Sequence, residues 1–388
     1  MIKSYSINTM KIKIQGTLTA IKTGEEKYST YFPNPLPPVI IYESVASLLE
    51  KANKAIGELN GIVDVTPDPS VINYMYVRKE AVLSSQIEGT QSTLDDLLKY
   101  ESDRITGLPI NDVEEVSSYV NALQYGLKRL KTLPLSLRLI REVHALLLKN
   151  SRGKTKSPGE FRKSQNWIGG TRPGNAKFVP VGVEKLQDTL NSFEKFMNGE
   201  DDIPVLIKAA LLHYQFETIH PFLDGNGRIG RLLITLYLYD KGFLKTPCLY
   251  ISLFFKKHRS LYYEYLNAVR FNGDWEQWIK FFLEGIFETA NNAKDILKSI
   301  QKTFNKDLEN ILTLKRAKDS AVVVFECFKQ KPLLTIAELV KLTKLSKPTI
   351  AKTIEHLIKL GILKPATDKS WGQIYSYQKY INKLIADN

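Results

Sequence analysis

One short stretch, HPFLDGNGRIGR at residues 220–231, limits the fold of this chain more than any other. Apolar residues with helical spacing precede it, and a second helical pattern runs from residue 226 to 241. Pro221 disfavours helical geometry at His220 and therefore places that histidine in a connecting loop. Two glycines flank Asn226 and let the backbone turn tightly. The sequence thus predicts two helices joined by a short, tight loop, with Phe222 anchoring the loop in the core.

The same loop has the composition of an anion site. Its glycines stand at the start of the second helix, where free N–H groups and the helix dipole favour an anion. Arg228 and Arg231 share one face of the first turn and can reach a polyphosphate. His220 is a candidate general base, because an imidazole can take a proton from an attacking hydroxyl. Asp224, beside bound phosphates, is suited to Mg²⁺ ligation.

Two other phosphate-binding motifs are excluded. GNGRIG at residues 225–230 matches G-x-G-x-x-G, but a dinucleotide site needs a preceding strand, and here the preceding segment has helical spacing. Gly153, Lys154 and Thr155 resemble the end of a P-loop, but Leu148 occupies the position of its first glycine. A plain glycine-rich connection would explain the glycines, but not the histidine, the acid and the two arginines together.

Helical spacing dominates most of the chain, so we predict a mainly α protein. A glycine-rich stretch at 167–180 predicts a small β-hairpin on the surface, and four prolines at 33–38 predict an extended arm. The predicted division is an N-terminal arm and first helices at 1–110 packed on the core, a helical core at 111–290, a connecting helix at 291–320 and a C-terminal module at 321–388.

The C-terminal module has its own pattern. TIAELVKLT, KLSK and PTIAKTIEHLIKLGIL predict a helix, a turn and a second helix, and DKSWGQIYSY adds β-rich residues. Helix, turn, helix and a two-stranded wing resemble a winged-helix (α+β) domain. Ten lysines against four acids in residues 331–388 make DNA a candidate partner. Winged helices also serve as dimerisation or regulatory modules, and the second helix lacks arginine, the commonest base-reading residue.

Composition narrows the partners and the compartment. The 388 residues carry a formal net charge of +13, which suits ATP, nucleic acid or acidic protein surfaces. Cys248 and Cys327 lie far apart without metal-ligand spacing, which favours a reduced, cytoplasmic context. The first residues lack the apolar core of a signal peptide, and the apolar run at 232–239 is too short to span a bilayer. We expect no membrane role.

At every fixed position HPFLDGNGRIGR matches H-x-F-x-[D/E]-G-N-G-R-x-x-R, the signature of Fic-domain proteins. The chain resembles this family over most of residues 40–290. The resemblance implies an all-α core that transfers the AMP of ATP to a hydroxyl of an unidentified target protein, with the chain itself among the candidates. The implied roles are His220 as general base, Asp224 as ligand of Mg²⁺ against the α- and β-phosphates, Gly225, Asn226 and Gly227 as anion hole, and Arg228 and Arg231 on the outer phosphates.

Two further regions resemble the family. The segment that begins YYEYLNAVRF at Tyr262 resembles its later core. The stretch at 167–180 resembles its flap, whose edge would pair with an extended segment of the target. An ordinary surface hairpin explains any single flap residue equally well. The residues implied are Tyr262, Tyr263 and Asn267 for the adenosine pocket, and Lys177 and Phe178 for placing the substrate.

SSQIEG at residues 84–89 resembles the inhibitory motif of the family, [S/T]-x-x-x-E-[G/N], with Ser84, Glu88 and Gly89 at its fixed positions. Ser84 and Glu88 are four residues apart and share a helix face. The resemblance implies that Glu88 pairs with Arg231 and occupies the arginine meant for the γ-phosphate of ATP. Because the motif precedes the core, this inhibition would be N-terminal and intramolecular. A solvated helical glutamate is the simpler alternative.

Three functions stay open at this point. The first is an autoinhibited protein adenylyltransferase. The second uses the same site in reverse, with Glu88 positioning water to remove AMP from a modified protein. The third is a winged-helix transcriptional regulator whose Fic body senses a nucleotide. Some relatives of this fold transfer other phosphate-bearing groups. The target, its modified residue and the oligomeric state are not set by the sequence, and a homodimer is one expectation.

Overall fold

The structure is a computed structural model that describes residues 15–66, 69–103, 110–151, 153–366 and 372–386. The first 14 residues of the predicted N-terminal region lie outside the described residues, as do residues 104–109 next to its boundary with the core. Residues 367–371, which include the start of the predicted wing, also lie outside them. The described residues are mainly helical with two small antiparallel sheets, which confirms the predicted fold class.

The helices of the predicted core are preceded by a β-hairpin. The elements are β1 (Gly16–Thr23), β2 (Glu26–Pro33), α1 (Ala46–Asp64), α2 (Pro69–Ile87), α3 (Leu94–Asp103), α4 (Ile110–Arg129), α5 (Leu137–Leu148), α6 (Val183–Asn198), α7 (Val205–Ile219), α8 (Asn226–Asp240), α9 (Ser252–Lys257), α10 (Arg259–Asn272) and α11 (Trp275–Leu312). Helices α10 and α11 are separate, because Gly273 ends α10 with a φ of 71°.

Helix α7 forms the centre of the molecule. Every residue of this helix from Leu206 to Ile219 is buried, as expected for a helix that is apolar on most of its circumference. It ends at His220, which has left-handed backbone angles of φ 49° and ψ 61° and is followed by Pro221. Helix α8 packs beside α7, and its residues from Ile229 to Leu238 are buried. The loop between two buried helices is thereby fixed at both ends.

The N-terminal hairpin packs against the segment predicted as the flap. Strands β1 and β2 pair in antiparallel register from Gly16 opposite Pro33 to Thr23 opposite Glu26. The backbone N–H of Tyr31 donates to the carbonyl of Val179 at 3.0 Å. The flap itself contains a single antiparallel bridge around a short 3₁₀ turn, so its pairing is shorter than the predicted hairpin.

The C-terminal part continues with α12 (Lys318–Gln330), β3 (Leu333–Thr335), α13 (Ile336–Thr343), α14 (Lys347–Lys359), β4 (Lys364–Pro365), β5 (Ile374–Ser376) and α15 (Gln378–Ile385). Its strands form an antiparallel sheet in the order β3-β5-β4. Ser346 caps α14 by accepting from the N–H of Thr349, and proline occupies the first turn as predicted. The predicted helix, turn and helix are therefore present, and the assignment as a winged helix stays an interpretation.

One buried carboxylate holds this C-terminal part against the long helix α11. Asp307 is 1% exposed and accepts from the Tyr377 hydroxyl at 2.7 Å and from Lys379 Nζ at 3.0 Å. Helix α11 runs for 38 residues, so the boundary predicted between 290 and 291 falls inside a continuous helix. Every helix that the structure describes is too short or too polar to cross a membrane.

Candidate active site

The loop between α7 and α8 is held from outside by two polar residues that the sequence analysis did not single out. The carbonyl of His220 accepts from Arg162 Nε at 3.1 Å and from Asn166 Nδ2 at 3.0 Å. Asn166 Nδ2 also donates to the carbonyl of Phe222 at 2.8 Å. Gly225 caps α8 with a φ of 77°, a left-handed conformation that glycine adopts without strain. The main chain of the loop is thereby fixed before any ligand arrives.

Asn226 stabilises the loop from within. Its Oδ1 accepts from the N–H of Phe222, and its Nδ2 donates to the carbonyl of the same residue, both at 2.8 Å. Phe222 is fully buried, which confirms the prediction that it anchors the loop. Since the side chain of Asn226 is used in this way, its contribution to an anion hole is limited to its backbone N–H.

His144, on α5, is a further support of the loop. Its Nδ1 accepts from the N–H of Gly159 at 2.8 Å, so Nε2 carries the proton and donates to the carbonyl of Asp224 at 3.0 Å. The imidazole stacks on Phe222 with ring centroids 3.7 Å apart. Burial lowers the pKa of His144 to about 4 and keeps the ring neutral. The sequence signal was weak: one histidine on the apolar face of a predicted helix.

The predicted residues converge on one pocket of about 450 Å³. Its wall combines the loop, the end of α2 and the start of α10. The predicted residues that line it are His220, Asp224, Gly225, Asn226, Gly227, Arg228, Arg231, Glu88, Tyr262 and Tyr263. Other residues that line it, which the sequence analysis did not single out, are Glu115, Trp167, Ile168, Gly169, Glu217 and Leu223.

Five predicted residues do not line this pocket in the part of the chain that the structure describes: Ser84 and Gly89 of the predicted inhibitory motif, and Asn267, Lys177 and Phe178. Asn267 accepts from Arg270 Nη1 at 2.9 Å, and its five-residue spacing from Tyr262 turns it away around α10. Phe178 is buried, with the Arg270 guanidinium 4.0 Å from its ring centre. Lys177, its neighbour, is exposed, because adjacent residues of an extended segment face opposite sides. In this structure Phe178 anchors the flap.

The imidazole of His220 is uncharged at neutral pH. Burial, and after it the positive charge of Arg270, together lower its pKa to about 4. Its Nδ1 lies 4.0 Å from Glu217 Oε2, and no hydrogen-bond partner is present for it among the described residues. The side chain is 19% exposed and faces the pocket. At neutral pH such an imidazole can accept a proton from a hydroxyl bound there.

Arg231 is held by α2 at three points. Its Nε donates to Ser84 Oγ at 2.9 Å, and its Nη2 donates to the Ser84 carbonyl at 3.0 Å and to Glu88 Oε1 at 2.7 Å. The contact expected between Glu88 and Arg231 is therefore present. Burial alone would raise the pKa of Glu88, but the charge and hydrogen bond of Arg231 and the charge of Arg228 hold it below its ordinary value. Glu88 is an anion in the pocket.

Comparison with known families and structures agrees with this geometry. Residues 46–128 match the model described as Fic/DOC family N-terminal, and residues 134–238 match the model described as Fic/DOC family. This chain is a Fic-domain protein. The second match contains the whole loop, and the first contains α2 with Ser84 and Glu88.

The curated relatives of this chain described next are each named protein adenylyltransferase Fic. The Aedes aegypti protein is 37% identical over 129 residues, which are 32% of this chain and 23% of the relative. The Drosophila grimshawi protein is 30% identical over 247 residues, 62% of this chain and 47% of the relative. This chain thus spans about half or less of the length of these relatives.

Solved structures share the fold. A Fic family protein from Desulfovibrio desulfuricans G20 aligns with a TM-score of 0.55 at 18% identity, over 88% of this chain and 98% of the other. A Fic domain containing signaling protein from Bacteroides thetaiotaomicron aligns with a TM-score of 0.53 at 22% identity, over 64% and 98% of the two chains. The first alignment is long enough to include residues beyond the two matched family models.

Gly227 of the Fic loop borders the Glu88 carboxylate, and Gly89 follows Glu88 in the chain. Gly89 lies in the turn after α2 and has a φ of 100°, which favours glycine. A Cβ on Gly227 would collide with Glu88 Oε1 and would lie 3.0 Å from Arg231 Nη1. The position of Glu88 therefore depends on the missing side chain at residue 227.

Arg228 of the Fic loop is paired with a residue that sequence reasoning missed. Its Nη1 donates to Glu115 on α4, and both side chains are 4% exposed. Its Nη2 lies 3.5 Å from Asp224 Oδ1. The guanidinium expected to neutralise outer phosphates thus already has an acidic partner, because α4 packs beside α8 and brings Glu115 to it.

Asp224 fits a cation that arrives with a nucleotide. Its side chain is 39% exposed at the pocket, and its Oδ1 accepts from the N–H of Gly225 at 2.6 Å. No group of three or more His, Cys, Asp or Glu side chains suited to a metal ion occurs among the described residues. Mg²⁺ commonly takes one or two protein carboxylates together with phosphate oxygens and water. A single carboxylate at this position meets that requirement.

Proposed function

We propose that this Fic-domain protein is a protein adenylyltransferase, which transfers AMP from ATP to a hydroxyl side chain of a target protein and releases pyrophosphate. The observation that carries the proposal is one pocket that joins a neutral His220, the N-terminal end of α8 and the Arg231 guanidinium. The name of the curated relatives supports the same activity. Because this chain spans only about half or less of these relatives, its target protein has to be identified by experiment.

The proposed chemistry needs a base, an anion site and alignment. His220 accepts the proton of the target hydroxyl while its oxygen bonds to the α-phosphorus, and the bond from that phosphorus to the bridging oxygen of pyrophosphate breaks. The free N–H groups at the start of α8 stabilise the negative charge of the phosphates. Asp224 would hold Mg²⁺, whose charge offsets that of the phosphates when it is bound.

We further propose that Glu88 keeps this activity low. Arg231 can serve one anion at a time, either the Glu88 carboxylate or the γ-phosphate of ATP. With Glu88 in place, ATP binds with a bent triphosphate, and the α-phosphate is not in line with the attacking hydroxyl. A displacement of about 1 Å can lower a rate about a hundredfold.

The test is a transfer assay on the full chain. Purified protein is incubated with ATP labelled on the α-phosphate and with Mg²⁺, alone and with lysate proteins, and products are analysed by mass spectrometry. We expect an AMP adduct on a serine, threonine or tyrosine, stronger in the Glu88→Gly variant. If no variant forms an adduct on itself or on any lysate protein, the proposed transfer is wrong.

A second function uses the same pocket in reverse. Glu88 is an anionic carboxylate that lines the pocket together with His220, so it is placed to hold a water molecule against an AMP-modified side chain. The assay is release of AMP from a modified protein. Loss of that release in the Glu88→Gly variant, without any gain in transfer, would favour removal over transfer.

A third function rests on the C-terminal part. On α14, Lys347, Lys352 and Lys359 are exposed, and an open groove of about 560 Å³ beside this helix is lined by Lys315, Arg316, Lys352 and His356 among others. These cations suit the phosphates of duplex DNA. We expect any such binding to weaken steeply with salt and to be lost when residues 321–388 are deleted. Sequence-dependent binding at physiological salt would favour the transcriptional regulator.

A further inference from the structure

Arg228 has two carboxylates within reach, and they hold it very differently. Glu115 is as buried as the arginine, and it accepts directly from Nη1. Asp224 is 39% exposed, and its Oδ1 is 3.5 Å from Nη2 while it accepts a shorter hydrogen bond, of 2.6 Å, from the N–H of Gly225. Glu115 therefore carries most of the compensation for the buried guanidinium, and Asp224 carries little.

This division of charge matters because a buried guanidinium needs an acidic partner. Leaving a buried charge without its partner is strongly unfavourable, so Arg228 would seek another carboxylate if Glu115 were neutral. Asp224 stands four residues before Arg228 at the same end of α8, and its Oδ1 is already 3.5 Å from Nη2. A full ion pair with Arg228 would engage the oxygens that Asp224 offers to a cation. It would also bring a positive charge close to that cation.

We infer that Glu115 is a positioning residue: by binding Arg228 it keeps Asp224 available for the divalent cation that accompanies the nucleotide. The inference rests on the proposed function, since it assumes a nucleotide phosphate and Mg²⁺ in this pocket. It adds a residue on α4, outside the loop, to the machinery of the site. Glu115 acts through Arg228 and makes no direct contact with the cation.

The test measures nucleotide binding and needs no turnover. ADP is the probe, because it carries the α- and β-phosphates but lacks the γ-phosphate that competes with Glu88 for Arg231. Calorimetry gives the affinity of the full chain for ADP in EDTA and at graded Mg²⁺ concentrations. In wild type we expect Mg²⁺ to raise the affinity.

In Glu115→Gln, the Mg²⁺ concentration for half of this effect should rise about tenfold or more, the usual loss when a residue supporting a metal ligand is removed. Affinity in EDTA should be equal or higher, since the pocket then carries one negative charge less and repels the phosphates less. If Glu115 only stabilised the fold, Glu115→Gln would lower the affinity for ADP equally in EDTA and in Mg²⁺. That result would overturn the inference. An unchanged Mg²⁺ dependence would overturn it too.

Two further variants distinguish the proposed effect from a folding defect. Glu114→Gln is the matched control on α4, because its carboxylate accepts from Tyr100 at 3.3 Å and does not line the pocket. Glu115→Gln combined with Arg228→Gln removes both charges together, which is far better tolerated than removing one. In the double variant the Mg²⁺ concentration for half of the effect should return close to that of wild type, although loss of the Arg228 charge should lower the ADP affinity itself. If the double variant needs as much Mg²⁺ as Glu115→Gln alone, Glu115 does not act through Arg228.

Failure of this inference can be told apart from failure of the proposed function. If wild type binds no ADP, or binds it without any effect of Mg²⁺, the nucleotide site itself is wrong, and the inference falls with it. If wild type responds to Mg²⁺ and Glu115→Gln responds equally, only the role of Glu115 is wrong.

Discussion

Arg231 and Glu88 form an ion pair of 2.7 Å between a fixed partner and a movable one. The arginine side chain is 1% exposed, whereas the glutamate side chain is 36% exposed. Two further hydrogen bonds to Ser84 hold the guanidinium independently of Glu88. Loss of the pair therefore leaves Arg231 in place, facing the pocket. Any change in inhibition would start from the glutamate.

Glu88→Gly should raise AMP transfer, because it removes the carboxylate that competes for Arg231. An increase on the order of a hundredfold would match the cost of misaligned attack. Transfer to the protein itself and to lysate proteins is measured with labelled ATP. Arg231→Ala should show no such gain, since the γ-phosphate contact is lost with it, and the double variant should resemble Arg231→Ala. An unchanged rate in Glu88→Gly would contradict autoinhibition.

His220→Ala, made in the Glu88→Gly variant, should reduce transfer by a factor of about 10² to 10⁴, the usual contribution of a general base. ATP affinity and the helical circular-dichroism signal should stay close to those of the parent. His356→Ala, in the C-terminal part, is the matched control and should leave transfer unchanged. A loss of helical signal in His220→Ala would instead assign the histidine a structural role.

Glu80 predicts a pH-dependent stability. It is buried on α2 against Ser252, and burial raises its pKa from 4.5 to about 7. Between these values the folded protein keeps a proton that the unfolded chain has released, so this group lowers stability as pH rises. Glu80→Gln lacks the effect. The difference in free energy of unfolding between Glu80→Gln and wild type should therefore increase from about pH 5 to about pH 8 in favour of the variant, by about 3 kcal/mol at most.

Urea unfolding of both proteins at the two pH values measures this difference. Glu50→Gln, at an exposed position of α1, is the control and should show no comparable gain. A constant difference between Glu80→Gln and wild type across this range would mean that Glu80 titrates alike in the folded and unfolded chains.

Asp307→Ala should weaken the attachment of the C-terminal part to α11. It leaves the Tyr377 hydroxyl without its acceptor in a buried position, which costs about 1–3 kcal/mol. We expect a lower free energy of unfolding, or earlier cleavage after α11 in limited proteolysis. Asp295→Ala, at an exposed position of the same helix, serves as the comparison. Equal behaviour of the two variants would show that Asp307 contributes nothing to the attachment.

The loop was predictable because its signals are local. Pro221, the two glycines and the helical spacing after Asn226 determine the turn through backbone geometry alone. The contact of Glu88 with Arg231 was expected only because the sequence resembles a known family. Nothing in composition or spacing brings two residues 143 positions apart into contact.

The supports of the loop were not predictable in the same way. Glu115 and His144 lie on ordinary amphipathic helices, and their importance arises from how α4 and α5 pack against α8. Arg162 and Asn166 stand in an irregular segment without a pattern of their own. For Asn267 the family resemblance implied a pocket contact, but its position around α10 turns it toward Arg270.

The absence of a side chain at Gly227 limits how this chain can evolve. In the proposed function the same position belongs to the anion site, and it also makes room for the Glu88 carboxylate. A substitution there would displace Glu88 and damage that anion site in one step. Mutational escape from the proposed inhibition is thus closed at residue 227. It stays open at residue 88, where a single change would leave the anion site intact.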